Sequence, residues 1–149
     1  MATAKLPPDS ESAIRLAIGS RLELLSLIHA IIEGIAREQK LDDETTMALQ
    51  VAVIEAGTNA IQHGNVFAET KAVKFDFRFQ NGGIEVQVDD FGKGFDPSKV
   101  DDPTTDESHL LSPHGRGLFL MRSLMDEVTF EERPDHGTTV RLKKTLSKS

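Results

Sequence analysis

At 149 residues the chain has room for one domain around one core, and 38% hydrophobic against 28% charged residues excludes wholesale disorder. The absence of cysteine excludes disulfide frameworks and thiolate metal sites and fits a reducing compartment. Acidic residues outnumber basic ones 24 to 17, a net charge of −7 that repels a phosphate backbone and speaks against direct nucleic-acid binding.

The N-terminus, MATAKLPPDSES, has no apolar signal run, and no stretch reaches the roughly 20 apolar residues of a membrane span, so a cytoplasmic location is expected. Pro7, Pro8 and their polar neighbours make residues 1–11 a disordered leader. Ile14, Leu16 and Ile18 alternate with Ala13, Arg15 and Ala17, which predicts a first strand ending at Gly19. Ser20 is placed to cap a helix carrying Leu22, Leu25, Ile28, Ile32 and Ile35 at helical spacing. Asp42 or Asp43 caps a second helix running to about His63, closed by Gly64.

The period then changes to two. Val73, Phe75, Phe77 and Phe79 alternate with polar residues, and Asn81-Gly82-Gly83 turns the chain into a strand with Ile84, Val86 and Val88 on one face. Residues 91–116 carry no periodicity and read as a long loop, a length that in a compact domain usually signals function. Seven acids against Lys93 and Lys99 lie between Asp89 and Glu107. A helix is predicted from about Gly117 to Met125, then a hairpin pairing Val128 and Phe130 with Thr138, Val140 and Leu142 through Pro134–Gly137. The order predicts an α+β two-layer sandwich, helices on one face of a mostly antiparallel sheet. Its domain spans 12–145, with 146–149 a tail.

Four elements point to chemistry. On the second helix Ala48, Ala52, Glu55, Asn59 and Gln62/His63 form a row, so a carboxylate and an amide project together from a helix that is otherwise apolar. Such groups face solvent or need a pocket with a partner. Asp90 falls on the apolar side of its strand, followed by Gly92 and Gly94, a place to accept from a buried amine while the backbone comes close. An ordinary acidic turn has the same string. His114-Gly115-Arg116-Gly117-Leu118 opens a helix, where free backbone N–H groups attract an anion and Arg116 adds a charge, unless it is merely a flexible loop end. Thr138 shares the apolar face of Val140 and Leu142, as a core hydroxyl or a pocket contact. The chain has no Walker loop, no Rossmann fingerprint, no H-E-x-x-H and no G-x-S-x-G elbow.

Together and in order, these elements resemble the GHKL ATPase superfamily of gyrase, heat-shock ATPases and histidine kinases. Glu55-x-x-x-Asn59 looks like its N-box, Asp90-x-Gly92-x-Gly94 like its first glycine box, and Gly115-x-Gly117-Leu118 like its second. The stretches EAGTNAIQHGN, DDFGKGF and GRGLFLMRSLMDEV are similar to the bacterial anti-sigma factor serine/threonine kinases, over about residues 12–143.

The resemblance implies a Bergerat fold with a mixed, mostly antiparallel sheet, and ATP with Mg²⁺ as cofactors. Glu55 would be the general base on a substrate Ser or Thr hydroxyl, Asn59 the magnesium ligand, and His63 a further nucleotide contact. Asp90 would accept from the adenine amine with Thr138 in support. Gly92 and Gly94 would line the nucleotide, residues 96–114 would form an ATP lid, Gly115, Arg116 and Gly117 would meet the phosphates, and Leu118 would be a further cofactor contact. The implied activity is ATP-dependent serine/threonine protein kinase and anti-sigma regulation, acting on a STAS-type anti-anti-sigma partner, with a sigma factor as client and a homodimer as assembly.

A different class remains open: a nucleotide-gated module that sequesters a partner with little kinase activity. Glu55 argues against it, because holding ATP needs no base. A detached histidine-kinase catalytic domain is disfavoured, since His29 is followed by Ala30 and lacks the H-E-x-x-x-P of a phosphoacceptor box.

Overall fold

A computed structural model describes residues 12–80, 82–93 and 113–147. The elements are β1 (Ser12–Gly19), a 3₁₀ turn (Leu22–Leu24), α1 (Leu25–Gln39), α2 (Asp43–Asn59) continued by a π turn (Ala60–Gly64), β2 (Ala72–Gln80), β3 (Gly83–Asp89), α3 (Pro113–Leu124), β4 (Glu127–Glu132) and β5 (Thr138–Thr145). The expected lid, 96–114, and Gly94 lie almost wholly outside the described residues, as does the leader.

The strands form one sheet in the order β1-β2-β3-β5-β4. Its four pairings are all antiparallel, so the sheet is not mixed as expected. Short connections (hairpins β2–β3 and β4–β5) and helical excursions between the rest deliver every neighbour in the opposite direction. α2 packs against both α1 and α3, which makes it the middle of the helical layer.

The alternation in β2 and β3 puts Val73, Phe75, Phe77, Ile84, Val86 and Val88 under the helices and Lys74, Asp76, Glu85 and Gln87 on the open face. Leu25, Ile28, Ile32 and Ile35 of α1 and Ala48, Leu49, Ala52, Val53 and Ala56 of α2 close the core from above. Each large side chain so buried stabilises the fold by about 1.5–3 kcal/mol. Gly57 is small because α2 comes close there: a Cβ would sit 2.7 Å from Leu25 and 3.1 Å from Phe75.

One open alternative is resolved and two local expectations change. Asp42, not Asp43, caps α2 by accepting from the Thr45 N–H at 2.7 Å, and that hydrogen bond holds its carboxyl below the usual range. Ser20 caps nothing; its buried hydroxyl donates to the Lys71 carbonyl at 2.6 Å and stitches β1 to the approach of β2. Gly64 does not end the helix in a left-handed cap. The left-handed residues come later, at Val66 (φ 51) and Phe67 (φ 57). Gly64 is glycine because a side chain there would overlap the Asp90 carboxylate.

Candidate nucleotide and phosphoryl-transfer site

A cleft runs between the helical layer and one end of the sheet. One part is lined by Ala56, Asn59, His63, Gly64, Asp90 and Thr138, among others. The adjoining part is lined by Glu55, Asn59, Gln62, His63, Arg116 and Gly117, with Thr58 and Leu120. Asn59 and His63 border both, so the two parts adjoin across these side chains.

The apolar end is built around Asp90. Its Oδ1 accepts from the Gly92 N–H at 3.1 Å and the Thr138 N–H at 3.2 Å, which leaves Oδ2 against Gly64. The side chain is only 5% exposed, and burial pushes its pKa up. The two N–H donors and Arg133 oppose that rise, while Asp89 adds to it. Gly92 is buried against the Gly64 carbonyl and leaves no room for a Cβ. Beside them Thr138 Oγ1 is buried with no hydrogen-bond partner among the described residues. The orphaned hydroxyl and the carboxylate both border this part of the cleft, in walls formed by Val88, Phe130 and Val140 that enclose only about 20 Å³.

The polar end carries Glu55 and Asn59, both half-buried on α2 and one turn apart. They face the first turns of α3. A Cβ on Gly117 would fall 2.6 Å from Glu55 Oε2 and 3.7 Å from Asn59 Nδ2. Gly117 therefore lets α3 approach the carboxylate. Contrary to expectation, α3 begins at Pro113, so Gly115 and Gly117 lie inside the helix rather than ahead of it. Pro113 suits a first turn because the missing N–H has no intrahelical partner there. Arg116 is exposed at the cleft wall. Leu118, expected as a cofactor contact, does not line the cleft; it is 1% exposed in the core. The structure thus gathers Glu55, Asn59, His63, Asp90, Arg116, Gly117 and Thr138 around the two adjoining parts of the cleft, while Gly92 lies behind Asp90 and lines neither. Sequence reasoning passed over Phe130 and Thr58 as cleft residues, although Phe130 stands opposite Val140 in the register. It also passed over Asn65 and Arg133.

The fold and cleft are those of an ATP-binding domain of the two-layer type. Residues 18–144 match the family model described as histidine kinase-like ATPase domain. Serine-protein kinase RsbW of Bacillus licheniformis is 33% identical over 140 residues, covering 91% of this chain and 86% of that protein. The anti-sigma F factor of Clostridium botulinum (strain Eklund 17B / Type B) is 34% identical over 100 residues, 66% of this chain and 70% of its own length. Among solved structures, the SiaB-SiaC complex from Pseudomonas aeruginosa superposes with a TM-score of 0.71 at 12% identity, covering 91% of this chain and 90% of that one. The RsbU and RsbW domains of a Mycobacterium tuberculosis protein give 0.65 at 18% identity, covering 92% of this chain but 34% of that longer chain. The chain belongs to the histidine kinase-like ATPase family and, within it, to the RsbW serine-protein kinases. It is a protein kinase of the serine/threonine type that draws on ATP.

Proposed function

We propose that this chain transfers the γ-phosphoryl group of ATP to a Ser or Thr hydroxyl of a STAS-type anti-anti-sigma protein, and thereby governs a sigma factor in the cytoplasm. The observation that carries the reading is the placement of Glu55. It is a half-buried carboxylate at the polar end of a cleft whose other end presents Asp90 and the orphaned Thr138 hydroxyl.

Each residue has a separable task. Asp90 Oδ2 and Thr138 Oγ1 read the base. Arg116 and the N-terminal turns of α3, with Gly115 and Gly117, meet phosphate oxygens. Gly92 holds Asp90 from behind through its N–H, Gly94, beyond the described residues, lines the nucleotide, and His63 borders it. Glu55 accepts the proton of the incoming hydroxyl as its oxygen bonds to phosphorus and ADP leaves. Bound ATP supplies the phosphoryl group, and magnesium would neutralise charge on its phosphates.

The described residues contain no group of three or more acids and histidines able to hold a metal alone. That suits magnesium, which usually takes one or two protein ligands and completes its shell with phosphate and water. The Asn59 side-chain amide, bordering both parts of the cleft, is the ligand proposed. The domain is taken as 12–145. Two copies are proposed to pair through the first helix, where Leu22 and Leu27 are 37% and 52% exposed. Among the described residues no helix is long and apolar enough to cross a membrane.

The deciding experiment measures phosphate incorporation into a STAS partner alongside nucleotide affinity, on variants shown by circular dichroism to fold. Glu55→Ala should keep ATP affinity and partner binding while transfer falls by about 10²–10⁴-fold, as for loss of a general base. Asn59→Ala should lose magnesium-dependent ATP binding and transfer together. A folded Glu55→Ala that transfers at the parent rate removes Glu55 as the base. A parent that binds nucleotide and partner but transfers nothing would make the chain a nucleotide-gated binding module.

A further inference from the structure

The peptide that follows Asp90 is held at both of its polar atoms. Its carbonyl oxygen, that of Asp90, accepts from Arg133 Nη2. Its N–H, that of Phe91, donates to Asn65 Oδ1 at 2.7 Å. Neither residue is among those that line the cleft.

Arg133 sits in the β4–β5 turn, and its guanidinium satisfies one corner of the sheet. Nη1 donates to the Thr138 carbonyl and Thr139 Oγ1, both at 2.9 Å, and lies 3.3 Å from Asp89 Oδ1. The same group lies over the Phe91 ring at 4.9 Å, with Lys74 over that ring at 5.2 Å. Gly137 is glycine for this reason: a Cβ there would overlap Arg133 and the Asp90 carbonyl. Asn65 is 2% exposed and follows the π turn. Its Nδ2 donates to Ser20 Oγ at 2.9 Å and the Ala72 carbonyl at 3.0 Å, so β1, the start of β2 and the end of α2 converge on one amide.

We infer that Arg133 and Asn65 are positioning residues that set the base selectivity of the nucleotide site by clamping the Asp90–Phe91 peptide from opposite polar ends. The inference rests on the reading of Asp90 as the adenine acceptor. A carboxylate discriminates adenine from guanine only if its free oxygen is held at one place, because a tilted peptide turns that oxygen away from the amine of one base and toward groups on the other. The backbone N–H groups of Gly92 and Thr138 fix Oδ1 by donating to it, and the clamp fixes the backbone that carries the carboxylate.

The test compares affinities for ADP, GDP and base-free tripolyphosphate by calorimetry. Arg133→Ala should weaken ADP about tenfold, as for a lost charge-assisted hydrogen bond, and leave GDP and tripolyphosphate within about twofold. Arg133→Lys keeps the cation over Phe91 but presents one nitrogen to acceptors spread around a guanidinium. It should recover the melting temperature of the parent yet only part of the ADP preference, and it carries the test if the alanine variant does not fold. Asn65→Ser should shrink the same preference. The double variant should lose less than the sum of the two changes, because both act on one peptide.

A folded Arg133 variant with the parent's ADP-to-GDP ratio overturns the inference. So does an equal loss for ADP and tripolyphosphate, which would mean general loosening. Asp90→Asn runs alongside. If it alone loses the preference, the clamp is wrong and the adenine reading stands; if it keeps the preference, the adenine reading falls and the clamp with it.

Discussion

Asp90 is asked to stay ionised in a place that resists ionisation. Burial raises its pKa, and the Gly92 and Thr138 N–H groups and Arg133 only partly offset this. The direction fixes a sign. A carboxyl whose folded pKa lies above its unfolded value contributes stability that is complete below the ordinary carboxylate range. That contribution is lost as pH rises through the raised value. At neutral pH, then, the ligand-free protein carries Asp90 as a cost. Asp90→Asn should melt at a higher temperature than the parent at pH 7, with the advantage vanishing toward pH 3. The same variant should bind ADP roughly 10- to 150-fold more weakly, since a buried charge-assisted hydrogen bond is lost. Asp42, Asp126 and Asp135 have lowered pKa values and therefore drive the opposite acid trend in both proteins, so only the difference between the two melting curves tests Asp90. A variant that melts below the parent at pH 7 and binds ADP equally well would count against both statements.

At the scale of elements, α2 and α3 make the proposed catalytic face by close approach, and Gly117 is the contact that allows it. Gly117→Ala should raise helix stability by about 1 kcal/mol, and the atom it meets is the far end of the Glu55 side chain, which swings away at little cost. The prediction is a melting temperature equal to or above the parent's, ADP affinity little changed, and phosphate transfer slowed about 10- to 100-fold because the base is displaced. Melting curves and single-turnover phosphorylation measure the two effects separately; a slow variant that also melts early would point to packing instead. The start of α3 was hidden in the sequence because two glycines in three residues lower helix propensity, while the approach to Glu55 that requires one of them is a tertiary fact. Gly64 was hidden likewise: a glycine after an apolar run reads as a cap, and only the position of Asp90 shows why no side chain fits. By contrast the period-two runs of β2 and β3, the Asp42 cap and the Glu55–Asn59 spacing were legible, because each rests on geometry within one element. The bonds of Arg133 and Asn65 to the Asp90–Phe91 peptide left no local signal, since they span 43 and 26 positions in the chain.

Across the whole molecule the apolar part of the cleft lies between α2 and the strands β3, β4 and β5, and its polar part lies between α2 and α3. A nucleotide reaching from Asp90 and Thr138 to Glu55 and Arg116 would touch both parts and bind the native state alone. Linkage then gives about 2.7 kcal/mol of stabilisation at ligand a hundredfold above its Kd. For a domain of this size that corresponds to roughly 5–11 °C in melting temperature. We expect a shift in that range for ADP with magnesium in the parent and in Glu55→Ala, whose base takes no part in ground-state binding. Asp90→Asn at the same ADP concentration should shift by several degrees less, because the base end no longer holds. Adding a chelator should remove part of the shift in the parent, leaving what the base end alone supplies, and should remove little further in Asn59→Ala. Thermal melts of the four proteins, with and without ADP and chelator, measure this directly. A parent that shows no shift at saturating ADP would place the nucleotide outside the cleft. A Glu55→Ala that loses the shift as fully as Asp90→Asn would make Glu55 a ground-state contact rather than the base.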